Sequence, residues 1–457
     1  MAVTAPILET MEYRIVIVLP ESRAILTLNT SGDHQLPRVS IPRRMRPAQA
    51  LRQAVETKWS LNVLILEYLQ REDNSASCVM AELLTPIADS ALDATPLDRV
   101  SRFELPDEER AMLGVLLNGE CQSPFSRFGW VDEASAWLET ATGQKVSSKS
   151  DIQQLNAGGA FTLLRFHTED GTDYWMKATG DPNAHELSIT SLLSRLSSGF
   201  VPRVIATKPD WNAWLMCGDG IPISELATDS VVPLKLLENA AESIAELQLR
   251  TIGHETELRE AGAFDQSLAT LLAGSEAIFA YIEEAMGAQT TTKVPRIARG
   301  RLQELRGILT RVCERLNSLN LPNAVLHGDL SLGNILVCDK GCQFIDWCEA
   351  YVGNPLITLE HLLLLNQTNK TELKASTDHM LRTKYRKVMA KGCDLARLDE
   401  GMINMPFLAA FSALYGRGDW LAACRPRELH RLAYARTLAR VMDRAASDPI
   451  LQSALRT

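Results

Sequence analysis

The stretch VLHGDLSLGNILVCDKGCQFIDWCEA, residues 325–350, decides how this chain is read. Two short strand-like runs, Asn334–Val337 and Gln343–Ile345, flank a turn at Asp339–Gly341, so the spacing predicts a hairpin with a polar loop ahead of it. His327, Asp329, Asn334 and Asp346 all fall in or beside that hairpin. Phosphoryl transfer needs such a set: one carboxylate to orient or accept the proton of an attacking hydroxyl, and oxygen ligands to hold Mg²⁺ on the nucleotide phosphates. Magnesium keeps several waters and takes few protein oxygens, chiefly from carboxylates. An Asp, an Asn five residues on and a second Asp one strand later supply them.

The spacing Asp329-Leu-x-x-x-Asn334 equals the D-L-x-x-x-N of kinase catalytic loops. HGDLSLGN followed by Ile345-Asp346-Trp347 strongly resembles the aminoglycoside phosphotransferase and choline kinase family, whose signature is H-G-D-x-x-x-x-N and then I-D-W. The resemblance covers residues 150–457 and implies an α+β, protein-kinase-like bilobal fold. Its small β-rich lobe would span about 150–219 and its large helical lobe about 220–457. It further implies Asp329 as the catalytic Asp, Asn334 and Asp346 as metal ligands, and His327 as a structural member of the loop. The cofactors would be ATP and Mg²⁺, and the acceptor a hydroxyl on a small molecule held between the lobes.

The residues upstream are consistent with this order. Lys177 lies in the strand-like YWMKA, and Glu186 follows nine residues later at the start of a predicted helix, Ala184–Leu196. HELSITSLLSRLSSGFVPRVI resembles the family's Glu-led helix and Pro-Arg-Val strand, which implies a Lys177–Glu186 ion pair that holds a cation on the phosphates. NAGGAF, Asn156–Phe161, sits between two predicted strands where a nucleotide-covering loop belongs, and paired glycines such as Gly158 and Gly159 let backbone N–H groups approach phosphate. AWLMCGDG, Ala213–Gly220, occupies the place of the family's inter-lobe hinge, whose backbone would bind adenine around Met216, Cys217 and Gly218. A buried edge strand describes those residues equally well.

Two family features are absent. No A-P-E segment follows Asp346, and the stretch from Pro233 to Asn323 is helical instead, which suits a small-molecule pocket. Where the family shows G-D-P-x-x-D-L, this chain has Gly353-Asn354-Pro355-Leu356-Ile357-Thr358-Leu359, so Asn and Thr replace two acids. The three core polar residues favour an active enzyme. A nucleotide-binding pseudokinase, acting as sensor or scaffold, is the alternative.

The rest of the chain sets the context. Its 457 residues predict two or three domains, and 46% hydrophobic with 23% charged residues is a globular composition. A net charge of −9 argues against a nucleic-acid partner. The longest apolar runs, such as Leu362–Leu365, are far short of a membrane span. Nine cysteines without a C-x-x-C predict neither a disulfide framework nor a zinc site, the group Cys338, Cys342 and Cys348 reading as small apolar residues. The N-terminus lacks the features of a secretory signal, and a soluble cytoplasmic chain is expected.

A polar seam, ATGQKVSSKSD at Ala141–Asp151, predicts a domain boundary near residue 148. It follows a helix read as capped by Asp132 and stopped by Gly143. Before it, strands are predicted at Tyr13–Leu19, Ala24–Leu28, Val63–Leu69 and Ser77–Leu84, with a helix after Pro47 that puts Ala50, Leu51, Ala54 and Val55 on one face. After it, strands are predicted at Phe161–Phe166, Tyr174–Ala178, Arg203–Ala206 and Ala213–Met216. Helices follow at Pro233–Leu249, Arg301–Leu319, Glu360–Lys391 and Arg427–Ala446.

RPAQALRQAVETKWSLNVLIL, Arg46–Leu66, and FGWVDEASAWL, Phe128–Leu138, resemble a Nudix hydrolase, whose R-E-x-x-E-E-x-G helix binds metal through several Glu side chains. Here Gln53 holds the Arg place, Ala54 the first Glu place, Thr57 and Lys58 the paired Glu, and Ser60 the Gly. Glu56 alone cannot assemble the oxygen cluster of a Mg²⁺ pyrophosphohydrolase. Residues 1–147 are therefore expected to be a degenerate, non-catalytic Nudix-like domain. It would bind a ligand, pack against the kinase-like part or mediate a homodimer. The basic run Pro37–Pro47, with Arg38, Arg43, Arg44 and Arg46, reads as a solvated loop, contact with a phosphorylated ligand being the alternative.

Overall fold

The computed structural model describes residues 10–30, 33–43, 47–69, 77–85, 91–121, 123–159, 161–218, 220–227, 232–366, 371–416 and 429–456. Arg44 and Arg46 of the basic run, Asp219 of the hinge stretch and Arg427 lie outside these residues. The chain forms two compact units, one made of Met1–Leu187 with Arg203–Gly218 and the other of Ser188–Pro202 with Asp219–Thr457. Residues on both sides of position 148 thus fall in the same unit.

The first unit is built on two sheets. One has seven strands: β1 (Thr10–Val18), β2 (Ile25–Thr30), β3 (Asp33–Gln35), β4 (Arg38–Pro42), β5 (Val63–Leu69), β6 (Ser77–Leu83) and β7 (Asp93–Thr95). The order β3-β2-β1-β6-β5 leaves β5 at an edge, with β4 and β7 also pairing β1 and β2. β1 lies inside this sheet, parallel to β6, and its run Ile15–Val18 is fully buried. A strand alternates its side chains between faces, so one apolar run can feed two cores. Tyr13, Ile15 and Ile17 enter a core with Leu51, Val55 and Trp59 of helix α1 (Pro47–Trp59), while Val16 and Val18 enter the other.

That other core joins the two sheets. The second is five-stranded and antiparallel, in the order β11-β12-β10-β9-β8, from β8 (Gln153–Asn156), β9 (Phe161–His167), β10 (Asp173–Thr179), β11 (Arg203–Lys208) and β12 (Ala213–Cys217). Its Leu164, Phe166, Met176, Ala178, Ala213 and Leu215, with Trp211 from the turn between β11 and β12, pack in one cluster with Val16, Val18, Leu64, Phe125, Trp130 and Leu138. Trp211 meets Phe125 edge-on, ring centroids 5.7 Å apart, and Trp130 at 6.5 Å. Polar bonds reinforce this joint. At the edge of β5 no strand among the described residues pairs the N–H and C=O of Ile65, and the buried Gln154 amide takes both: Ile65 N–H donates to Oε1 and Nε2 donates to Ile65 O, each at 2.8 Å. Gln154→Ala would orphan two buried backbone groups and is expected to cost about 1–3 kcal/mol, read as a lower urea midpoint.

Helix α2 (Asp107–Leu117) precedes α3 (Trp130–Thr142), which begins two residues before the Asp132 expected as its cap. The start is set from a distance. Gly129, at φ 73°, donates its N–H to both oxygens of Glu82 at 3.1 Å, placing a buried carboxylate at the helix's positive end. Gly143 stops α3 as expected, also in the left-handed conformation.

The second unit is mostly helical around one core. Its main helices are Leu234–Thr251, Ser275–Gly287, Arg299–Ser318, Leu356–Leu364, Thr371–Met389, Leu395–Tyr415 and Leu429–Ala446. Two three-stranded sheets are inserted among them: Ile221–Pro222 with the hairpin Ile335–Cys338 and Gly341–Phe344, and Ala324–His327 with Ala350–Gly353 and Phe264–Gln266. The single helix expected over Glu360–Lys391 is two helices instead. The Lys374 ammonium donates to the carbonyls of Leu363 and Asn366, at 3.3 and 2.7 Å, and so closes the first helix's C-terminal end. Among the described residues no helix is long and apolar enough to cross a membrane.

Candidate active site

In the first unit, β10 carries Lys177 in a five-stranded ladder, opposite Leu163 on β9 and Trp214 on β12. Its ammonium donates to Glu186 Oε1 at 2.6 Å, and Glu186 opens helix α4 (Glu186–Leu196). The pair is buried, with side-chain exposures of 9% and 1%, and the ammonium also lies 5.6 and 5.9 Å from the ring centroids of Phe161 and Trp214. Buried charges of this kind persist only when paired. Lys177→Met, which removes the ammonium from beside the buried Glu186 carboxylate, is expected to cost about 3–5 kcal/mol in chemical denaturation. Lys177→Met/Glu186→Leu should recover most of that stability, because an apolar pair of similar volume is often neutral.

Gly158 and Gly159 connect β8 to β9. Gly158 has φ 153°, a conformation that side chains oppose, and the Phe161 N–H donates to its carbonyl at 3.3 Å. Met216 and Cys217 lie inside the β12 ladder, paired with Trp175 and Tyr174 on one side and Val204 and Arg203 on the other. Gly218 is the first residue past it, so of the three its backbone alone lies beyond the ladder.

In the second unit, the hairpin Ile335–Cys338/Gly341–Phe344 pairs from Ile335↔Phe344 to Cys338↔Gly341. One further bond, Ile345 N–H to Asn334 O at 3.1 Å, brings Asn334 beside the residue that precedes Asp346. Asn334 turns its carboxamide back on the loop: Nδ2 donates to the Asp329 carbonyl at 2.8 Å and to Asp329 Oδ2 at 3.3 Å. Asp346 holds φ 68°, ψ 63°, a left-handed conformation rare for residues other than glycine and enriched at functional sites. Asp329 is exposed and Asn334 is buried. The loop thus gathers Asp329 and Asn334 directly and Asp346 through its neighbour.

The remaining motif residues fix this loop. His327 is buried, lies tilted against Trp347 with centroids 4.5 Å apart, and shares a 2.9 Å hydrogen bond between Nε2 and the Ile345 carbonyl. Gly328 has no room for a side chain, since a Cβ would stand 2.2 Å from the Tyr351 ring. Thr358, fully buried, accepts the His327 N–H at 3.3 Å, and Asn354 Oδ1 accepts the Leu356 N–H at 3.1 Å at the start of its helix. Neutral groups therefore do the bracing for which the family commonly shows carboxylates.

Sequence reasoning missed a deeper layer of support. Gln248, buried in the helix Leu234–Thr251, donates to the Val325 and Pro355 carbonyls at 3.1 and 3.2 Å and accepts the Tyr385 hydroxyl at 2.6 Å. Thr251 accepts the Val325 N–H at 3.1 Å. The available signal was a glutamine among the mostly apolar residues that this helix buries.

Among the described residues no group of three or more His, Cys, Asp or Glu side chains is arranged to hold a metal ion. Burial pushes the Cys342 thiol up to about 12, which suits the apolar reading of that cysteine. One carboxamide and one carboxylate, Asn334 and Asp346, fit an ion such as Mg²⁺ that fills its shell with water and phosphate oxygens. The bonds found for Asn334's side chain use Nδ2, which leaves its Oδ1 suited to a cation.

No curated protein matches this chain. Among solved structures, the macrolide 2'-phosphotransferase MphH from Brachybacterium faecium is 16% identical over 67% of this chain and 96% of that one, with a TM-score of 0.44. A choline/ethanolamine kinase family protein from Mesorhizobium loti is 17% identical over 71% and 98%, with a TM-score of 0.44. The ethanolamine kinase of Plasmodium vivax is 13% identical over 66% and 84%, with a TM-score of 0.42. The model of the phosphotransferase enzyme family (APH) matches residues 151–386, a stretch that contains Lys177, Glu186, Asp329, Asn334 and Asp346. That match spans more than half of the 457 residues, and this chain belongs to the phosphotransferase enzyme family.

Proposed function

We propose that this chain transfers the γ-phosphoryl group of ATP, with Mg²⁺, to a hydroxyl of a small molecule. The observation that carries the reading is the hydrogen-bonded pairing of Asp329 with Asn334 beside a left-handed Asp346. Asp329 orients the acceptor hydroxyl and takes its proton, a role its exposure allows. Asn334 and Asp346 hold the metal, which when bound neutralises charge on the phosphate oxygens. Lys177, kept in place by Glu186, contacts the phosphates, Gly158 and Gly159 cover them, and the backbone at Gly218, just past the ladder, receives adenine. His327 and Thr358 keep the loop rigid, so the carboxylate needs little reorganisation at the moment of reaction.

Residues 1–147 are, on this reading, a non-catalytic frame of Nudix-like descent. Gln53, Ala54, Thr57 and Lys58 line a hollow of about 550 Å³ together with Arg38 and Glu12, and the face carries one acid where such hydrolases need several. A nucleotide-binding pseudokinase remains the second reading, favoured by Asn354 and Thr358 in place of acids. The test is a screen of hydroxylated metabolites and aminoglycosides for acceptor-dependent ADP release. The proposal predicts release with at least one acceptor that requires Mg²⁺ and is lost in Asp346→Asn. Binding of ATP-Mg²⁺ with no acceptor-dependent release would favour the pseudokinase.

A further inference from the structure

The glycine loop Asn156–Phe161 lies within the family match, yet the residues that grip it lie before that match begins. Strand β5 carries a bulge between Ile65 and Glu67, and β8 a matching irregularity between Gln154 and Asn156. A bulge re-aims the side chain that follows it. Glu67 Oε2 accepts the Ser126 hydroxyl at 2.7 Å, and a Cβ added at Gly159 would lie only 3.0 Å from that same oxygen. The Ser123 hydroxyl donates to the Gly159 carbonyl. Ala157, the first loop residue after Asn156, is buried in the same core as Tyr13, Leu51 and Val55. The loop is therefore held by a core contact at Ala157 and by the Ser123 hydroxyl, while the Glu67 carboxylate, itself held by Ser126, closes the space beside Gly159.

Ordering a glycine pair is entropically more costly than ordering other residues, and a loop that must settle on each binding event lowers affinity by that amount. A loop fixed beforehand avoids that cost. We propose that Ser123, Ser126 and Glu67 are positioning residues for the nucleotide: they pre-set the Gly158–Gly159 loop and so determine ATP affinity. This rests on the reading of that loop as the nucleotide-covering one.

The test uses the full-length chain and titrates ATP with Mg²⁺ into wild type, Ser123→Ala, Ser126→Ala and the hydroxyl-retaining Ser123→Thr, with melting temperature measured in parallel. Ser123→Ala and Ser126→Ala should each weaken ATP binding about five- to tenfold, tenfold being ~1.4 kcal/mol, with little change in melting temperature. Ser123→Thr should bind within about twofold of wild type. Unchanged ATP affinity in both alanine variants, with wild type binding normally, overturns this proposal and leaves the phosphotransferase reading intact. Weakening matched by Ser123→Thr, or by a general loss of stability, also overturns it. Failure of wild type to bind ATP at all removes both.

Discussion

Asp329→Ala is expected to bind ATP-Mg²⁺ as wild type does and to lose phosphoryl transfer by about 10²–10⁴-fold, the usual contribution of a positioned general base. The split between binding and turnover follows from how the loop is held. Asn334 Nδ2 makes its shorter bond, 2.8 Å, to the Asp329 backbone carbonyl, and the side-chain bond at 3.3 Å is the weaker of the two. Removing the carboxylate therefore leaves the main anchor in place. His327 remains held by the Ile345 carbonyl and Thr358, and Gln248 still fixes the strand behind it. Because Asp329 is exposed, folding stability should change by no more than about 0.5 kcal/mol. Rapid-quench turnover and nucleotide titration on the same preparation separate the two effects. An equal loss of binding and turnover would assign Asp329 a structural role.

The second large effect concerns the seam. Fragments ending or beginning near residue 148 are expected to be insoluble or molten when expressed separately. The cluster that contains Val16, Leu64, Phe125, Trp130 and Leu138 also contains Leu164, Phe166, Met176, Trp211 and Leu215, and a cut at the seam divides it. Each large apolar side chain returned to water costs about 1.5–3 kcal/mol, and a whole domain has a net stability of only about 5–15 kcal/mol. Exposing even a handful of these side chains on either fragment exhausts that margin. Circular dichroism and gel filtration of residues 1–148 and 149–457 decide the matter. Two monodisperse fragments with cooperative melts would contradict the shared core.

The contrast between motif and support explains what could be read from the sequence. Asn334 and Asp346 flank one hairpin, and His327 and Asp329 lie in the strand end and loop just before it, so their proximity follows from local geometry and a short spacing. Lys177 and Glu186 are nine residues apart, on a strand and the helix after it, and their ion pair was legible for the same reason. Gln248 and Thr251 reach the strand ahead of Asp329 from a helix far away in the chain, Tyr385 backs Gln248 from another, and no local pattern marks a buried glutamine as a brace. Glu82 sets the start of helix α3 from a neighbouring strand, which is why a local cap at Asp132 was the wrong expectation. The expected helix over Glu360–Lys391 reads through the polar run 366–372, a local signal that it passed over, and Lys374 caps the carbonyls of Leu363 and Asn366 behind it.

The central claim is that this chain moves a phosphoryl group with the residues gathered at Asp329. A single-turnover experiment with γ-labelled ATP, Mg²⁺ and a small-molecule extract tests it most directly. The account predicts that label passes from ATP into a low-molecular-weight product with wild type and stays on ATP with Asp329→Ala. Label that remains on ATP with a wild-type protein shown to bind ATP-Mg²⁺, or that transfers equally well with both proteins, would contradict it.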